Sequence, residues 1–193
     1  MKKVKTNADA YNYIKRQCLN GYRQNIQRGS FENESIYRMQ SYPIAIEIID
    51  PMNFLYLPKE VSLGMIEKYY NDYIIGDVIA DNETYTYGSR INIQLYEVFD
   101  MLKNTPNTNQ AAISISEPND IFLHDPPCLR HIQFGFFNDK LNLTTYWRSN
   151  DIGEGFLTNQ GGMSLLLRDA AEYSGLDIGS HFYMSSGAHI YKY

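Results

Sequence analysis

Residues 126–151 read PPCLRHIQFGFFNDKLNLTTYWRSND, and this stretch decides the fold. Two runs rich in β-branched and aromatic residues, 130–137 and 140–147, lie on either side of Asn138 and Asp139. Asn and Asp accept the left-handed backbone angles that a two-residue hairpin turn requires. The stretch therefore predicts a β-hairpin with Asn138 and Asp139 at its tip.

The hairpin is predicted to bring a thiol, a cation and a hydroxyl together. Residues 125–128 read Asp-Pro-Pro-Cys, and the two prolines fix φ and prevent a helix, so Cys128 lies at a stiff strand entrance. The returning strand ends in Arg-Ser-Asn-Asp at 148–151, opposite this entrance. A nearby guanidinium lowers the pKa of a thiol and so favours the nucleophilic thiolate. Composition alone favours the simpler interpretation that Cys128 is a small core residue.

The remaining hydrophobic patterns predict helices and strands on both sides of the hairpin. The predicted helices are a first one capped by Asn7, with Tyr11, Ile14 and Cys18 on one face and its end near Gly21; a second over 63–76; a third marked by Ile91, Leu95, Phe99 and Leu102; and a fourth marked by Met163, Leu166, Leu167, Ala170 and Ala171 and ended by Gly175. The predicted strands are residues 42–48 and 111–116 and two short pieces after Gly175, whereas residues 22–41 are polar and predict a loop. Helices and strands are mixed without strict βαβ alternation, so we predict the α+β class and a single domain over residues 1–193.

Composition limits the kinds of function that are possible. Hydrophobic residues make up 44% and charged residues 20% of the chain, which is typical of a globular protein. The apolar runs are far shorter than the roughly 20 residues of a membrane helix, and no apolar signal core follows the N-terminus, so we expect a cytoplasmic protein with no membrane partner. The net charge of −5 argues against binding nucleic acid, although a few arginines can still hold a small anionic substrate.

Cysteine usage narrows the chemistry. The chain has two cysteines, Cys18 and Cys128, too few for a disulfide framework and without the paired spacing of a zinc site, so we expect no metal. Thiol chemistry and plain packing are the two uses that remain.

Several short motifs occur in one order along the second half of the chain. They are Pro-Pro-Cys at 126–128, Gln133-Phe134, Arg-Ser-x-Asp at 148–151, Gly155 with Asn159 four residues on, and His-x-Tyr at 189–191, preceded by Tyr-Thr-Tyr-Gly-Ser-Arg at 85–90. In this set the chain resembles the thymidylate synthase family, and most of all its short archaeal and phage-like branch, which includes pyrimidine hydroxymethylases. The resemblance implies a mixed β-sheet with helices packed on one face, and a homodimer whose sheets pack back to back.

The resemblance also implies a reaction. The Cys128 thiolate would add to C6 of a uridylate-type pyrimidine nucleotide, and C5 would then attack the one-carbon unit of 5,10-methylenetetrahydrofolate. Hydride transfer from the folate would give a methyl product, whereas capture of the exocyclic methylene by water would give a hydroxymethyl product. The family's folate-covering tail has no counterpart after Tyr193, and weaker exclusion of water favours the hydroxymethyl product.

The matched motifs carry over residue roles. Arg148 and Ser149 would hold the substrate phosphate, and Arg148 would also poise the thiol. Asn159 would read the O4 and N3 edge of the base, and because cytosine-specific relatives carry Asp there, Asn favours uracil. The other implied site residues are Arg28 as the phosphate arginine of the N-terminal loop, with Arg23 as its rival; Tyr87 near the thiol, which an ordinary packing role explains equally well; Asp151 and Gly155 on the substrate; and His189 and Tyr191 on the ribose hydroxyl.

The chain departs from the family pattern at two places. Asn109 and Gln110 stand where the family carries cations that reach the phosphate of the neighbouring subunit, and losing such a contact costs about 1.5 to 3 kcal/mol. The helix that supplies the family's catalytic glutamate has Asn71 or Asp72 at the expected position, with Glu67 as an outside candidate, and we take Asp72 as the catalytic carboxylate. These departures motivate a second hypothesis, a degenerate homologue that binds a nucleotide or a partner without turnover.

Overall fold

A computed structural model describes residues 1–26, 37–81 and 83–192. The strands in these ranges are β1 (Lys2–Val4), β2 (Tyr22–Asn25), β3 (Tyr37–Gln40), β4 (Ile44–Ile48), β5 (Ala112–Ser114), β6 (Leu129–Phe137), β7 (Lys140–Trp147), β8 (Asn150–Asp151), β9 (Ile178–Ser185) and β10 (Ala188–Lys192). The α-helices are α1 (Asn7–Leu19), α2 (Leu63–Tyr69), α3 (Tyr87–Asn104) and α4 (Phe156–Ser174). None of the helices in these ranges is both long enough and apolar enough to cross a lipid bilayer.

A six-stranded mixed sheet forms the centre of the fold. Its order is β1-β4-β9-β7-β6-β5, with β1 parallel to β4, β7 parallel to β9 and the other pairs antiparallel. Asn138 and Asp139 have φ of 54° and 58° and join β6 to β7, which confirms the predicted hairpin. The mixed sheet and the helices packed against it confirm the α+β class.

The helices pack on the face of this sheet that carries Phe134, Leu143, Trp147 and Tyr183, all fully buried. Helix α4 lies at the centre of this layer and contacts α1, α2 and α3 as well as β7 and β9. It ends at Gly175, whose φ of 72° gives the left-handed cap that the sequence predicts.

A second sheet, β2-β3-β10-β8, contradicts the prediction of a loop over residues 22–41, because residues 22–25 and 37–40 are strands. These strands read Tyr-Arg-Gln-Asn and Tyr-Arg-Met-Gln, so most of their side chains are polar, and Arg38 of β3 lines a cleft. Apolar alternation, the usual signal of a strand, is therefore missing. The cap of α1 is a smaller correction: Thr6, not Asn7, accepts a hydrogen bond from the Asp9 amide, and Asn7 is a buried helical residue.

Helix α2 continues into a π-helical turn over Tyr70–Ile74, in which the amide of Ile75 donates to the carbonyl of Tyr70 at 3.0 Å. Two glycines of α4 let this segment come close. A Cβ added at Gly161 would lie 2.6 Å from Ile66, and one at Gly162 would lie 2.8 Å from Ile74. The predicted helix over 63–76 is thus confirmed, with one π turn that the spacing does not indicate.

Candidate active site

Two adjoining cavities meet at Cys128. The first has a volume of about 490 Å³ and the second about 670 Å³, within the range of small-molecule sites. The first is lined among others by Arg38, Cys128, Arg148, Ser149, Asp151, His189 and Tyr191. The second is lined among others by Tyr69, Asp72, Tyr73, Tyr87, Cys128, Asp151, Gly155 and Asn159. The thiol and the Asp151 carboxylate therefore border both.

Cys128 is half-buried at the start of β6. Burial raises the pKa of its thiol above the ordinary value of 9.0, and the Arg148 guanidinium is the main influence that lowers it. Burial is the larger effect, so the thiol is held protonated at neutral pH. The expectation that Arg148 keeps the sulfur ionised is therefore met in direction but outweighed by burial.

The Arg148 guanidinium donates hydrogen bonds to the loop that precedes Cys128. Its Nε donates to the carbonyl of Pro127 at 3.1 Å, and its Nη2 donates to the carbonyl of Pro126 and, at 3.2 Å, to Asp125 Oδ1. About a third of the side chain (35%) is exposed, on the side of the first cavity. Arg148 thus both orients the cysteine loop and presents positive charge to the cavity.

The far wall of the first cavity comes from β10 and the loop before it. His189 Nδ1 lies 2.9 Å from the carbonyl of Gly187, so it carries the proton and donates. Burial lowers the pKa of His189 to about 4, helped by Arg38 and Arg148, so the ring is neutral at physiological pH. Its Nε2 is left as an acceptor with no hydrogen-bond partner among the described residues. The Tyr191 ring meets the imidazole edge-on at 4.7 Å, and Ser149 Oγ lies 3.4 Å from Nδ1.

Arg38 is a cleft residue that sequence reasoning missed. It pairs with Tyr191 across the β3–β10 ladder, and this register brings its side chain to the first cavity. Gln24 Oε1 accepts from its Nε at 3.2 Å and from its Nη2 at 2.9 Å. The position of Arg38 depends on the pairing of β3 with β10, and residues 37–40 do not have the apolar alternation that would predict a strand. Arg28 lies outside the described residues, and Arg23 is exposed on β2 with its guanidinium 3.9 Å from the Tyr37 ring.

The second cavity brings Asn159 next to α2. Asn159 lies in the first turn of α4, where its amide donates to the carbonyl of Gly155 at 2.9 Å. Its side-chain Oδ1 accepts a hydrogen bond from the Tyr69 hydroxyl at 2.7 Å. Tyr69, half-buried, was not among the predicted site residues, because an aromatic residue at helical spacing is typical of core packing.

Tyr87 lies under the cysteine. Its hydroxyl accepts from the amide of Leu129 at 3.4 Å, and its ring meets Trp147 and Tyr73 edge-on at 6.0 and 5.2 Å. The side chain is buried but still lines the second cavity. Tyr87 thus packs in the core and also lies in the same cavity as Cys128.

The acidic candidates of the α2 segment differ in position. Asp72 lies at the rim of the second cavity, with 59% of its side chain exposed and Lys68 as its ion-pair partner. Glu67 and Asn71 are exposed on the same segment. Asp151 is half-buried between the two cavities, and burial raises the pKa of its carboxyl. Its Oδ1 accepts from the amide of Gly153 at 2.8 Å.

A buried carboxylate supports the cysteine loop from the other side. Asp120 accepts from Arg90 at 3.0 Å and from Arg130 at 3.2 Å, and Arg130 also donates to the carbonyl of Pro127 at 3.3 Å. Asn109 and Gln110 are exposed just before β5. Across residues 1–26, 37–81 and 83–192, no three His, Cys, Asp or Glu side chains are grouped so that they could hold a metal ion.

Comparisons with known proteins agree on one family. The family model described as Thymidylate synthase matches residues 67–193. A protein of Methanosarcina mazei named "Putative thymidylate synthase" is 33% identical over 135 residues, covering 66% of this chain and 62% of the relative. Proteins of the same name from Methanosarcina barkeri and Methanothermobacter thermautotrophicus are 32% and 30% identical, over 66% of this chain and 62% and 59% of the relatives. The chain thus spans about three fifths of the length of these relatives.

Proposed function

The chain belongs to the thymidylate synthase family, and on that premise we propose that it transfers a one-carbon unit to C5 of a uridylate-type nucleotide through a covalent bond between Cys128 and C6. The observation that carries this proposal is the position of the thiol at the junction of two cavities. One side offers the cations Arg38 and Arg148, which suit a phosphate. The other side offers the Asn159 amide, which suits the edge of a pyrimidine ring.

The phosphate and the sugar occupy the first cavity in this proposal. Arg148 and Ser149 hold the phosphate, and Arg38 supplies a second cation from within the same chain. That second charge offsets the loss at Asn109 and Gln110, where the family uses cations of the neighbouring subunit. Arg28, by family resemblance, adds a further contact.

The sugar hydroxyl lies against β10. A neutral His189 has an acceptor at Nε2, and Tyr191 beside it carries a hydroxyl that can donate or accept. This pair suits a ribose hydroxyl, which is itself both a donor and an acceptor. Protonation of His189 would remove the acceptor.

Attack on C6 requires the Cys128 thiolate. Because burial holds the thiol protonated, its proton passes to solvent water before the sulfur bonds to C6, and Arg148 stabilises the thiolate that forms. As the sulfur bonds to C6, the electron pair of the C5–C6 double bond moves to C5 and O4, which makes C5 the nucleophile for the one-carbon unit. Tyr87 fixes the strand entrance through the Leu129 amide and so holds the sulfur in place. When the C5 proton is later removed and the C–S bond breaks, the electron pair of that bond returns to sulfur.

The second cavity also fits 5,10-methylenetetrahydrofolate. The rings of Tyr69 and Tyr73 stack at 5.4 Å and flank a space bordered by the Asp72 and Asp151 carboxylates, which suits a flat heterocycle with N–H donors. This group supplies the one-carbon unit and, for a methyl product, a hydride. Gly155 has no side chain, so the cavity stays open beside Asn159. Asp72 is the proposed acceptor of the C5 proton because, unlike Glu67 on the same helical segment, it borders this cavity.

The test is covalent trapping. Incubation with 5-fluoro-dUMP and methylenetetrahydrofolate is expected to give a ternary adduct at Cys128 by intact mass and peptide mapping. Cys128→Ser should give none, whereas Cys18→Ser should give the full yield, because Cys18 is buried, its pKa is raised by burial to about 11, and its donation to the carbonyl of Ala188 can be made by a serine hydroxyl.

The outcomes separate the hypotheses. Retained nucleotide binding without any adduct would favour the degenerate homologue. With an adduct in hand, the mass of the product from unmodified dUMP distinguishes methyl from hydroxymethyl transfer, and accumulation of dihydrofolate answers the same question independently.

A further inference from the structure

We propose that Tyr69 is a positioning residue that sets base specificity, because its hydroxyl fixes which end of the Asn159 amide faces the pyrimidine. The inference rests on the proposed function, since it takes the base edge as the group that Asn159 reads. It concerns a contact between residues 90 positions apart that neither the motifs nor the family match singles out.

Tyr69 is held in place from three sides. It is the last residue of α2, where the π turn begins, and its ring stacks on Tyr73 with an interplanar angle of 18°. On the third side lies Gly162, where an added Cβ would be 3.6 Å from Tyr69 Cδ1. Small residues in α4 therefore bring α2 close enough for the phenol to reach Asn159.

The Tyr69 hydroxyl keeps its proton and so remains a hydrogen-bond donor. Burial raises the pKa of Tyr69 well above the usual range of a tyrosine, and nearby Tyr73 and Cys128 raise it further. The phenol therefore stays protonated over the whole physiological pH range. Its 2.7 Å contact with Asn159 Oδ1 selects the orientation of the amide in which oxygen, not nitrogen, faces Tyr69.

The other end of the amide is left open by a glycine. A Cβ placed on Gly155 would lie 3.3 Å from Asn159 Nδ2, so any larger residue would crowd the amide nitrogen. Gly155 and Asn159 both line the second cavity next to Cys128. The nitrogen can therefore donate to a ligand while the oxygen, which has a second lone pair, can accept from it.

This polarity matches uracil and opposes cytosine. Uracil presents an acceptor at O4 and a donor at N3, whereas cytosine presents a donor at N4 and an acceptor at N3. To serve cytosine the amide must turn over, which places its NH2 group against the Tyr69 hydroxyl and deprives the hydroxyl hydrogen of its acceptor. An unpaired polar group in a buried site costs free energy, so the contact penalises cytidylate.

The experiment is a competition between dUMP and dCMP measured by equilibrium binding, for the wild type, Tyr69→Phe and Tyr96→Phe. Tyr96→Phe is the matched control, since it removes the same atom from an exposed tyrosine of α3. We expect Tyr69→Phe to reduce the preference for dUMP by roughly fivefold, the effect of one net hydrogen bond. Tyr96→Phe should leave the preference unchanged.

A thermodynamic cycle with Asn159→Ala separates positioning from packing. If Tyr69 acts through Asn159, then Tyr69→Phe changes the preference in the wild type and adds nothing in the Asn159→Ala background. If Tyr69→Phe keeps the full preference for dUMP, or if it reduces the preference equally in both backgrounds, then the role proposed for Tyr69 is wrong while the proposed function stands. A wild type that binds neither nucleotide would overturn the proposed function as well.

Discussion

The backbone amide of Arg148 donates to the backbone carbonyl of Cys128 at 2.9 Å, so the residues that carry the guanidinium and the thiol pair at the open end of one hairpin ladder. The turn at Asn138 and Asp139 sets the register of that ladder, and an irregularity between Leu129 and His131 adjusts it next to the cysteine. Chemistry at one end of the hairpin thus depends on two turn residues at the other end. A shift by one residue would turn the Arg148 side chain to the opposite face of the sheet.

Removal of the guanidinium should make Cys128 less reactive. Since Arg148 lowers the pKa of a thiol that burial already raises, Arg148→Gln should raise that pKa further and slow alkylation by iodoacetamide at pH 8 by roughly three- to tenfold. Arg148→Lys is the control, because it retains the charge and loses only the forked donors. A pH–rate profile whose midpoint is the same in Arg148→Gln and the wild type would contradict this account of the thiol.

Local chemistry explains which parts of the fold the sequence predicts well. The hairpin turn and the Gly175 cap both depend on residues that accept positive φ, and this preference is a property of the residue itself. The helices that mark the core carry apolar residues at regular spacing. Strands β2 and β3 have neither signal, because most of their side chains are polar, and the sequence therefore predicts a loop there.

The site was predictable only where a motif records it. Cys128, Arg148, Ser149, Asn159 and His189 came from motifs, and the structure brings all of them to the two adjoining cavities. Arg38 and Tyr69 reach the same cavities through a strand register and through a helix contact that two glycines permit. Such long-range geometry leaves no mark in the neighbouring sequence, so no local pattern predicts it.

Stability should fall in mild acid because of His181. This residue is fully buried in β9 with its Nε2 2.9 Å from Thr145 Oγ1, and burial lowers its pKa to about 3. The unfolded chain, with an ordinary histidine pKa near 6.5, binds the proton first, so stability is highest above pH 6.5 and is lost as the pH falls. Between pH 6.5 and 5 this one group should cost about 1.6 kcal/mol of unfolding free energy.

The measurement is denaturant unfolding at both pH values for the wild type and His181→Gln, which can keep the bond to Thr145. The variant can be less stable overall, but its loss between the two pH values should be smaller by about that amount. Equal losses in the two proteins would show that His181 does not control the acid sensitivity.

Two glycine-to-alanine changes should have opposite signs. Gly175 has φ of 72° with no atom within 4 Å of an added Cβ, so Gly175→Ala meets no clash and costs only backbone strain, about 1 kcal/mol. Gly64 lies exposed inside α2 with ordinary φ, so Gly64→Ala should stabilise by about 0.5 to 1 kcal/mol. Thermal unfolding of both variants tests this, and a stabilising Gly175→Ala would be inconsistent with a left-handed cap.

The outer face of the six-stranded sheet should form the interface of a homodimer. Trp147 and Tyr183 point to the helix-covered face, so their neighbours Tyr146 and Met184, which pair across β7 and β9, point to the opposite face. Both are exposed, and nearby the rings of Phe137 and Phe182 pack at 5.6 Å. Exposed apolar side chains grouped on a sheet face are typical of a protein interface, and the family resemblance implies back-to-back packing of two such sheets.

Met184→Lys tests that interface, because Met184 is 43% exposed and a lysine there fits the surface of a monomer. In a two-fold dimer each substitution occurs twice, so like charges would face each other across the contact and weaken association. By sedimentation velocity the wild type should be a dimer and Met184→Lys a monomer at the same concentration. Ile93→Lys is the control, since Ile93 is 87% exposed on α3, away from the sheet face, and should leave the dimer intact. A monomeric wild type, or a dimer that survives Met184→Lys, would place the interface elsewhere or exclude it.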